Sequence, residues 1–149
     1  MKLLLLEDDD IYAETIEIAL KGAFSRVRVI RVSTEREFTR RLADLAAEEF
    51  DVAIFDIMIR WGDVEDLSNA PPEVREEAEG KQKWRAGVRC RRLFNEEVAK
   101  QRLQPVPSFY HSVLDAQDLA GELDGETDLV VKQGNIEQLT GKVRQLTQG

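Results

Sequence analysis

The chain has 149 residues, 42% apolar and 34% charged, with 21 basic against 29 acidic side chains for a net charge of −8. That length suits one domain able to bury roughly 70% of its unfolded surface, and the acidic balance excludes a protein built mainly to grip nucleic acid phosphates. A single cysteine, Cys90, and a single histidine, His111, exclude an internal disulfide, a cysteine-rich zinc site and a conventional hydrolase triad.

No apolar run approaches the ~20 residues that cross a bilayer. The leucines Leu3–Leu6 are too few for a signal-peptide core and no cleavage site follows. A cytoplasmic, reducing location is the expectation.

Leu3–Leu6 reads as a strand buried on both faces of a parallel sheet. Tyr12, Ile16, Ala19, Leu20 and Ala23 recur at helical intervals, predicting a helix from about Asp10 to Phe24, with Asp9 or Asp10 as its cap. Val27, Val29, Ile30 and Val32 form a second strand. Thr34 and Glu37 have the capping-box spacing, and Phe38, Leu42, Leu45 and Ala46 mark the inner face of a second helix. Val52–Ile57 is apolar except for Asp56, a third strand with a carboxylate at its tip. Residues 59–86 form a long, charged excursion with Pro71-Pro72 and a helical turn near Pro72, bracketed by Trp61 and Trp84. Those tryptophans suit either folding the excursion onto the domain or a docking surface.

Helical spacing returns around Val88, Leu93, Phe94 and Val98, where Arg89, Arg91, Arg92 and Arg102 read as a solvated face and Cys90 as structural. Pro105–Tyr110 reads as a fourth strand and Leu114–Leu123 as a short helix. Leu129–Val131 is a fifth strand ending at Lys132, and Asn135 with Gln138 resembles a cap for a last helix carrying Ile136, Leu139, Val143 and Leu146. Strand then helix, five times over, predicts an α/β domain: a parallel sheet with helices on both faces and a site at the carboxyl ends of the strands.

Those ends collect Glu7-Asp8-Asp9, Asp56, the region of Tyr110, His111 and Ser112, and Lys132. Clustered carboxylates repel, and a divalent cation relieves that repulsion. Hard oxygen ligands without histidine or thiolate indicate magnesium rather than zinc. A cation beside Asp56 neutralises the oxygens of an incoming phosphoryl group while the carboxylate attacks phosphorus, with Lys132 on the other side. His111 reads as a surface or partly packed residue without a catalytic role. A glycine-rich phosphate loop is absent after the first strand, which argues against a flavin or nucleotide binder. An aspartate-based phosphatase generally needs a second aspartate where Met58 stands, which argues against that enzyme class.

Three segments in this order, Met1–Asp9, Phe50–Met58 and Asp128–Lys132, resemble the response-regulator receiver domain of two-component signalling. The resemblance spans nearly the whole chain. It implies one receiver domain over residues 1–149 with an insertion at about 60–86, and a doubly wound, five-stranded, flavodoxin-like fold of strand order 2-1-3-4-5. It implies a signalling module and not an enzyme. Asp56 would be the phosphoacceptor; Glu7, Asp8, Asp56 and the backbone carbonyl of Met58 would hold Mg2+; Lys132 would pair with the phosphoryl group. The donor would be a sensor histidine kinase or histidine phosphotransfer protein. Output would pass through protein contacts, as a monomer or weak homodimer, with no direct nucleic acid or membrane partner.

The chain departs from the family pattern at several points. Arg60 stands where a proline is usual, Gln133 where another commonly follows the lysine, and Gly87 looks like a family glycine displaced by the insertion. Counting back from Lys132 puts Tyr110, flanked by Ser108 and Ser112, at the position of the usual threonine or serine. These departures motivate an alternative expectation, a degenerate, phosphorylation-independent receiver acting as a protein-binding module. With the chain ending soon after its fifth helix, the expectation is a free-standing receiver or phosphate shuttle.

Overall fold

The computed structural model describes residues 1–62, 64–121, 128–132 and 136–149, without the side chains of 64–66. Five strands, β1 (Lys2–Leu6), β2 (Arg28–Val32), β3 (Val52–Phe55), β4 (Ser108–Ser112) and β5 (Leu129–Val131), form one sheet in the order β2-β1-β3-β4-β5. Every neighbouring pair is parallel. The helices are α1 (Asp10–Ala23), α2 (Glu35–Ala47), α3 (Pro72–Ala78), α4 (Ala86–Lys100) and α5 (Ile136–Gln148), with a 3-10 segment at Val64–Asn69. No helix among the described residues is long and apolar enough to cross a membrane.

Side chains alternate across a strand, so each strand feeds two cores. Leu3, Leu5, Val52, Ile54, Phe109 and Val130 pack under Ala13, Ile16 and Leu20 of α1 and Leu139 and Val143 of α5. Leu4, Leu6, Ala53, Phe55 and Tyr110 pack on the opposite face under α2 and α4. There Phe94 of α4 sits 6.0 Å from the Phe55 ring and 6.4 Å from Phe38 of α2. The continuous apolar runs in β1 and β3 are therefore a consequence of burial on both faces.

The helix starts follow their sequence signals. Asp9 caps α1 by accepting from the Tyr12 amide at 2.8 Å. Thr34 caps α2 by accepting from the Glu37 amide at 3.1 Å, and Glu37 reaches back to the Ser33 amide at 3.2 Å. Pro72 stands at the start of α3, where its missing N–H is no loss. The Asn135 cap and Gln133 lie outside the described residues.

Three expectations change. The fourth strand starts at Ser108, later than the predicted Pro105, because Pro105 and Pro107 lack an N–H for the ladder; the Pro107 carbonyl still accepts from the Ala53 amide at 2.9 Å. The helix predicted over Leu114–Leu123 is absent from its described part, which forms turns through Gly121. Asp115 and Asp118 each accept from the other's amide, at 2.9 and 3.1 Å, so side chains take up backbone donors in a local turn. The third change is at α4: Arg89 and Arg91 are largely covered and ion-paired, not solvated, while Arg92 remains exposed. Cys90 is fully buried, as a structural cysteine should be.

The long connection after β3 leaves and returns at one point. The Gly87 amide donates to the Ile57 carbonyl at 2.9 Å, and α4 begins there. A Cβ added to Gly87 would lie 1.8 Å from the Asp56 carbonyl oxygen. Only glycine lets α4 approach the backbone of the Asp56 segment this closely. Gly87→Ala is therefore expected to destabilise the protein by about 2 kcal/mol through overpacking, read as a lower urea midpoint at unchanged m-value. An unchanged midpoint would show that the contact relaxes freely.

Candidate functional site

The alternation that builds the α1/α5-side core also builds a polar row at the strand ends. One step of two beyond Leu5 comes Glu7; beyond Ile54, Asp56; beyond Phe109, His111; beyond Val130, Lys132. All four continue the same face of the sheet. Glu7, Asp56 and His111 are buried, at 1%, 5% and 3% exposure.

The Lys132 ammonium lies 2.6 Å from Glu7 Oε2 and 2.8 Å from Asp56 Oδ2. The Asp56 Oδ1 accepts from the Met58 amide at 3.3 Å, and Glu7 Oε1 accepts from the Asp9 amide at 3.1 Å. Carboxylate oxygens of Glu7, Asp8 and Asp56 all lie within 4.8 Å of one another. Asp8 is less buried and its Oδ2 accepts from the Arg60 amide at 3.2 Å. A proline at position 60 would lack that N–H. The Arg60 carbonyl in turn accepts from the Glu35 amide at 3.0 Å, and the Trp61 carbonyl from Arg36 at 2.9 Å, joining the rim to the start of α2.

One ammonium serves two buried carboxylates and a third nearby. Burial, with the charge of Asp56 adding to it, raises Glu7 to about 7 against the pull of Lys132. Burial also lifts the Asp56 pKa above the ordinary carboxylate range, again against Lys132. Burial works against the charge of Lys132, but Asp56 and Glu7 hold its pKa above the usual value. Such a site lacks positive charge. Three carboxylate oxygens at this spacing form a hard donor set that fits a magnesium-type cation.

Thus Glu7, Asp8, Asp56 and Lys132 converge, as their positions in the sequence predict. Met58 follows directly, with its side chain 40% exposed. Tyr110 does not join them. It is the register partner of Phe55 and faces the other core, where the Arg91 guanidinium lies 4.7 Å from its ring centroid. One step beyond that last pair come Asp56 and His111. Counting along the chain from Lys132 lands one residue early, because it passes through a connection whose length the register does not share. Trp61 and Trp84 are both half-buried, so the excursion folds onto the domain.

His111 is the residue that sequence reasoning set aside. Its ring centroid is 5.6 Å from that of Tyr12, and the Lys132 ammonium is 4.5 Å from the Tyr12 centroid. Burial, with the charge of Lys132 adding, lowers its pKa to about 4. The signal available was strand parity: His111 lies two residues beyond the core residue Phe109.

A pH dependence follows. The folded value of about 4 is below the unfolded value of about 6.5. The stabilisation from keeping His111 neutral is complete above pH 6.5 and is lost as pH falls from there toward 4. It amounts to about 3 kcal/mol. Tyr12 of α1, Lys132 after β5, and Glu7 and Asp56 on the same sheet face are the ionisable groups around it. Their own titration is shared by a His111→Gln variant, so the difference in denaturation midpoint between the two proteins isolates the effect. It should shrink as pH falls from 6.5 to 4; parallel curves would overturn the expectation.

Comparison with solved structures finds the same architecture. A signal receiver domain of a histidine kinase from Clostridium thermocellum superposes with a TM-score of 0.68 at 15% identity, over 99% of this chain and 98% of that one. A response regulator receiver protein from Sinorhizobium medicae gives 0.64 at 22% identity, over 100% and 95%. A beryllofluoride-activated receiver domain gives 0.60 at 18% identity, over 99% and 97%. No protein-family profile and no curated protein matches the sequence. The chain has the receiver fold of two-component signalling proteins.

Proposed function

We propose that the protein is a phosphoacceptor receiver that takes a phosphoryl group onto Asp56 from a phosphohistidine of a sensor kinase or phosphotransfer protein. The observation that carries this is the convergence of Glu7, Asp8 and Asp56 around the Lys132 ammonium at the carboxyl ends of the strands. Asp56 Oδ attacks phosphorus, a P–O bond forms, and the P–N bond of the donor breaks. The electron pair stays on the leaving imidazole nitrogen, which ends protonated or picks up its proton from water. Lys132 stays beside the acceptor and offsets the charge of the transferred oxygens. Glu7, Asp8 and Asp56, with the Met58 carbonyl, would hold magnesium. When bound, that ion supplies charge neutralisation at the phosphoryl oxygens.

Fluorine NMR of the protein with magnesium and beryllofluoride tests the reading. Bound-fluoride signals that need both components, together with a phosphorylated mass after a small-molecule phosphodonor, are expected. Absence of both under conditions where the fold is intact would defeat the proposal. A second reading, a phosphorylation-independent binding module, is favoured by the turns that replace a helix after β4. It predicts no magnesium binding in a calorimetric titration of the folded protein.

A further inference from the structure

The Lys132 ammonium pairs with Glu7 Oε2 at 2.6 Å and with Asp56 Oδ2 at 2.8 Å. It also lies over the Tyr12 ring, 4.5 Å from the centroid. The Tyr12 hydroxyl donates to the Lys132 carbonyl at 3.4 Å, and the Lys132 amide donates to the Ser112 carbonyl at 2.8 Å. Tyr12 is fixed in turn. It stands in the first turn of α1, where its amide donates to the capping Asp9 side chain at 2.8 Å. Its ring packs on the α1/α5-side core, with the His111 ring 5.6 Å away. The helix that starts after the acidic segment thus lays an aromatic face against the ammonium of the rim. Helical spacing alone makes Tyr12 a core residue of α1, a place that leucine fills equally well. The contact with Lys132 is what leucine cannot make.

We infer that Tyr12 is a positioning residue: its ring face keeps the Lys132 ammonium beside the acceptor when a metal ion and a phosphoryl group draw on Glu7 and Asp56. This inference rests on Asp56 being the acceptor. The three contacts of the ammonium differ in what competes for them. Magnesium takes hard oxygen ligands, and Glu7 and Asp56 supply two of the three carboxylate oxygens that lie within 4.8 Å of one another. Whatever draws those oxygens to a metal loosens both ion pairs of Lys132. Phosphorylation of Asp56 takes up the same carboxylate again. An aromatic face attracts an ammonium through its quadrupole, yet it offers no oxygen to a hard cation and no nucleophile to phosphorus. Its hold on Lys132 therefore survives both events. With leucine there, the flexible lysine stem is free to swing away as its carboxylates are taken.

Proton NMR of the unaltered, metal-free protein gives the first readout. The Lys132 methylene protons next to the ammonium should resonate upfield of an ordinary lysine, because they sit in the Tyr12 ring current. That shift should persist when magnesium and beryllofluoride are added, a measurement that needs no variant. It should also persist in Tyr12→Phe and vanish in Tyr12→Leu. At saturating magnesium, Tyr12→Leu is expected to slow labelling of Asp56 by a small-molecule phosphodonor about fivefold, the worth of one cation–π contact. Tyr12→Phe, which keeps the ring, should recover most of that loss. A parent shift that disappears on forming the fluoride adduct would overturn this inference. So would Tyr12→Leu labelled as fast as the parent, or Tyr12→Phe as slow as Tyr12→Leu; each of these leaves Asp56 as the acceptor. A parent that takes no label and forms no adduct would overturn both readings.

Discussion

Replacing Asp56 with asparagine is expected to abolish labelling by a phosphodonor and to erase the beryllofluoride signals. The amide cannot act as the oxygen nucleophile, and it removes one of the three carboxylates within 4.8 Å. Glu7, Asp8 and Lys132 remain in place, so the loss is expected without collapse of the fold. The same change also tests the electrostatics. In the metal-free protein, two buried carboxylates share one ammonium; burial raises both pKa values, with the charge of Asp56 adding at Glu7 and that of Asp8 adding at Asp56. Removing one leaves Lys132 paired with Glu7 alone. The variant should therefore melt at a higher temperature than the parent without magnesium, and should lose the parent's stabilisation on adding it. Undiminished transfer of labelled phosphate to Asp56→Asn would place the acceptor elsewhere.

The largest stability effect is expected at Arg89 of α4. Its guanidinium holds Glu35 at 2.8 and 3.0 Å in a bidentate pair, and Glu77 through two further hydrogen bonds, one of 2.9 Å. Glu35 opens α2 and is 4% exposed; Glu77 lies on α3 and is 2% exposed. Three helices meet at this cluster, and Glu77 also accepts from the Arg85 amide at 3.2 Å. Arg89→Leu leaves two buried carboxylates without their cation, which costs about 3–5 kcal/mol. Burial already pushes the Glu35 pKa up, with Arg89 opposing it. Without Arg89 the folded state binds protons more readily than the unfolded state, so the variant's deficit should shrink as pH falls from the raised Glu35 value toward the ordinary glutamate value of about 4.3. Adding Glu35→Gln and Glu77→Gln should recover part of the stability. Denaturant midpoints across pH measure both effects, and a deficit that is independent of pH would sink this account.

The parts of this protein that are readable from sequence are those fixed by local periodicity. Leu3–Leu6 and Val52–Ile57 announce strands buried on both faces, and the carboxylates of Glu7 and Asp56 at their carboxyl ends mark the rim. Thr34 with Glu37, and Asp9 before α1, mark helix starts through side chains that satisfy nearby amides. What escapes is fixed by distant partners. Arg89 looks like any arginine on a helix until Glu35 and Glu77 are brought to it. Asp115 and Asp118 exchange side-chain-to-amide hydrogen bonds as residues at a helix start do, yet the described residues as far as Gly121 form turns and not the helix their leucines suggest. Tyr110 and His111 differ by one residue, and only pairing across the sheet decides which side chain shares the face of Asp56.

The closure of the long connection at Ile57 and Gly87 has a consequence for how such a chain can change. The described part of the connection is held at its base by that 2.9 Å hydrogen bond and along its length by the pairing of Glu77 with Arg89. Lengthening a loop on a fixed base is cheap, about 0.6 kcal/mol for each doubling. Added length ahead of α3 is therefore tolerated at little expense, whereas α3 itself cannot be exchanged without a new anion for Arg89 to hold.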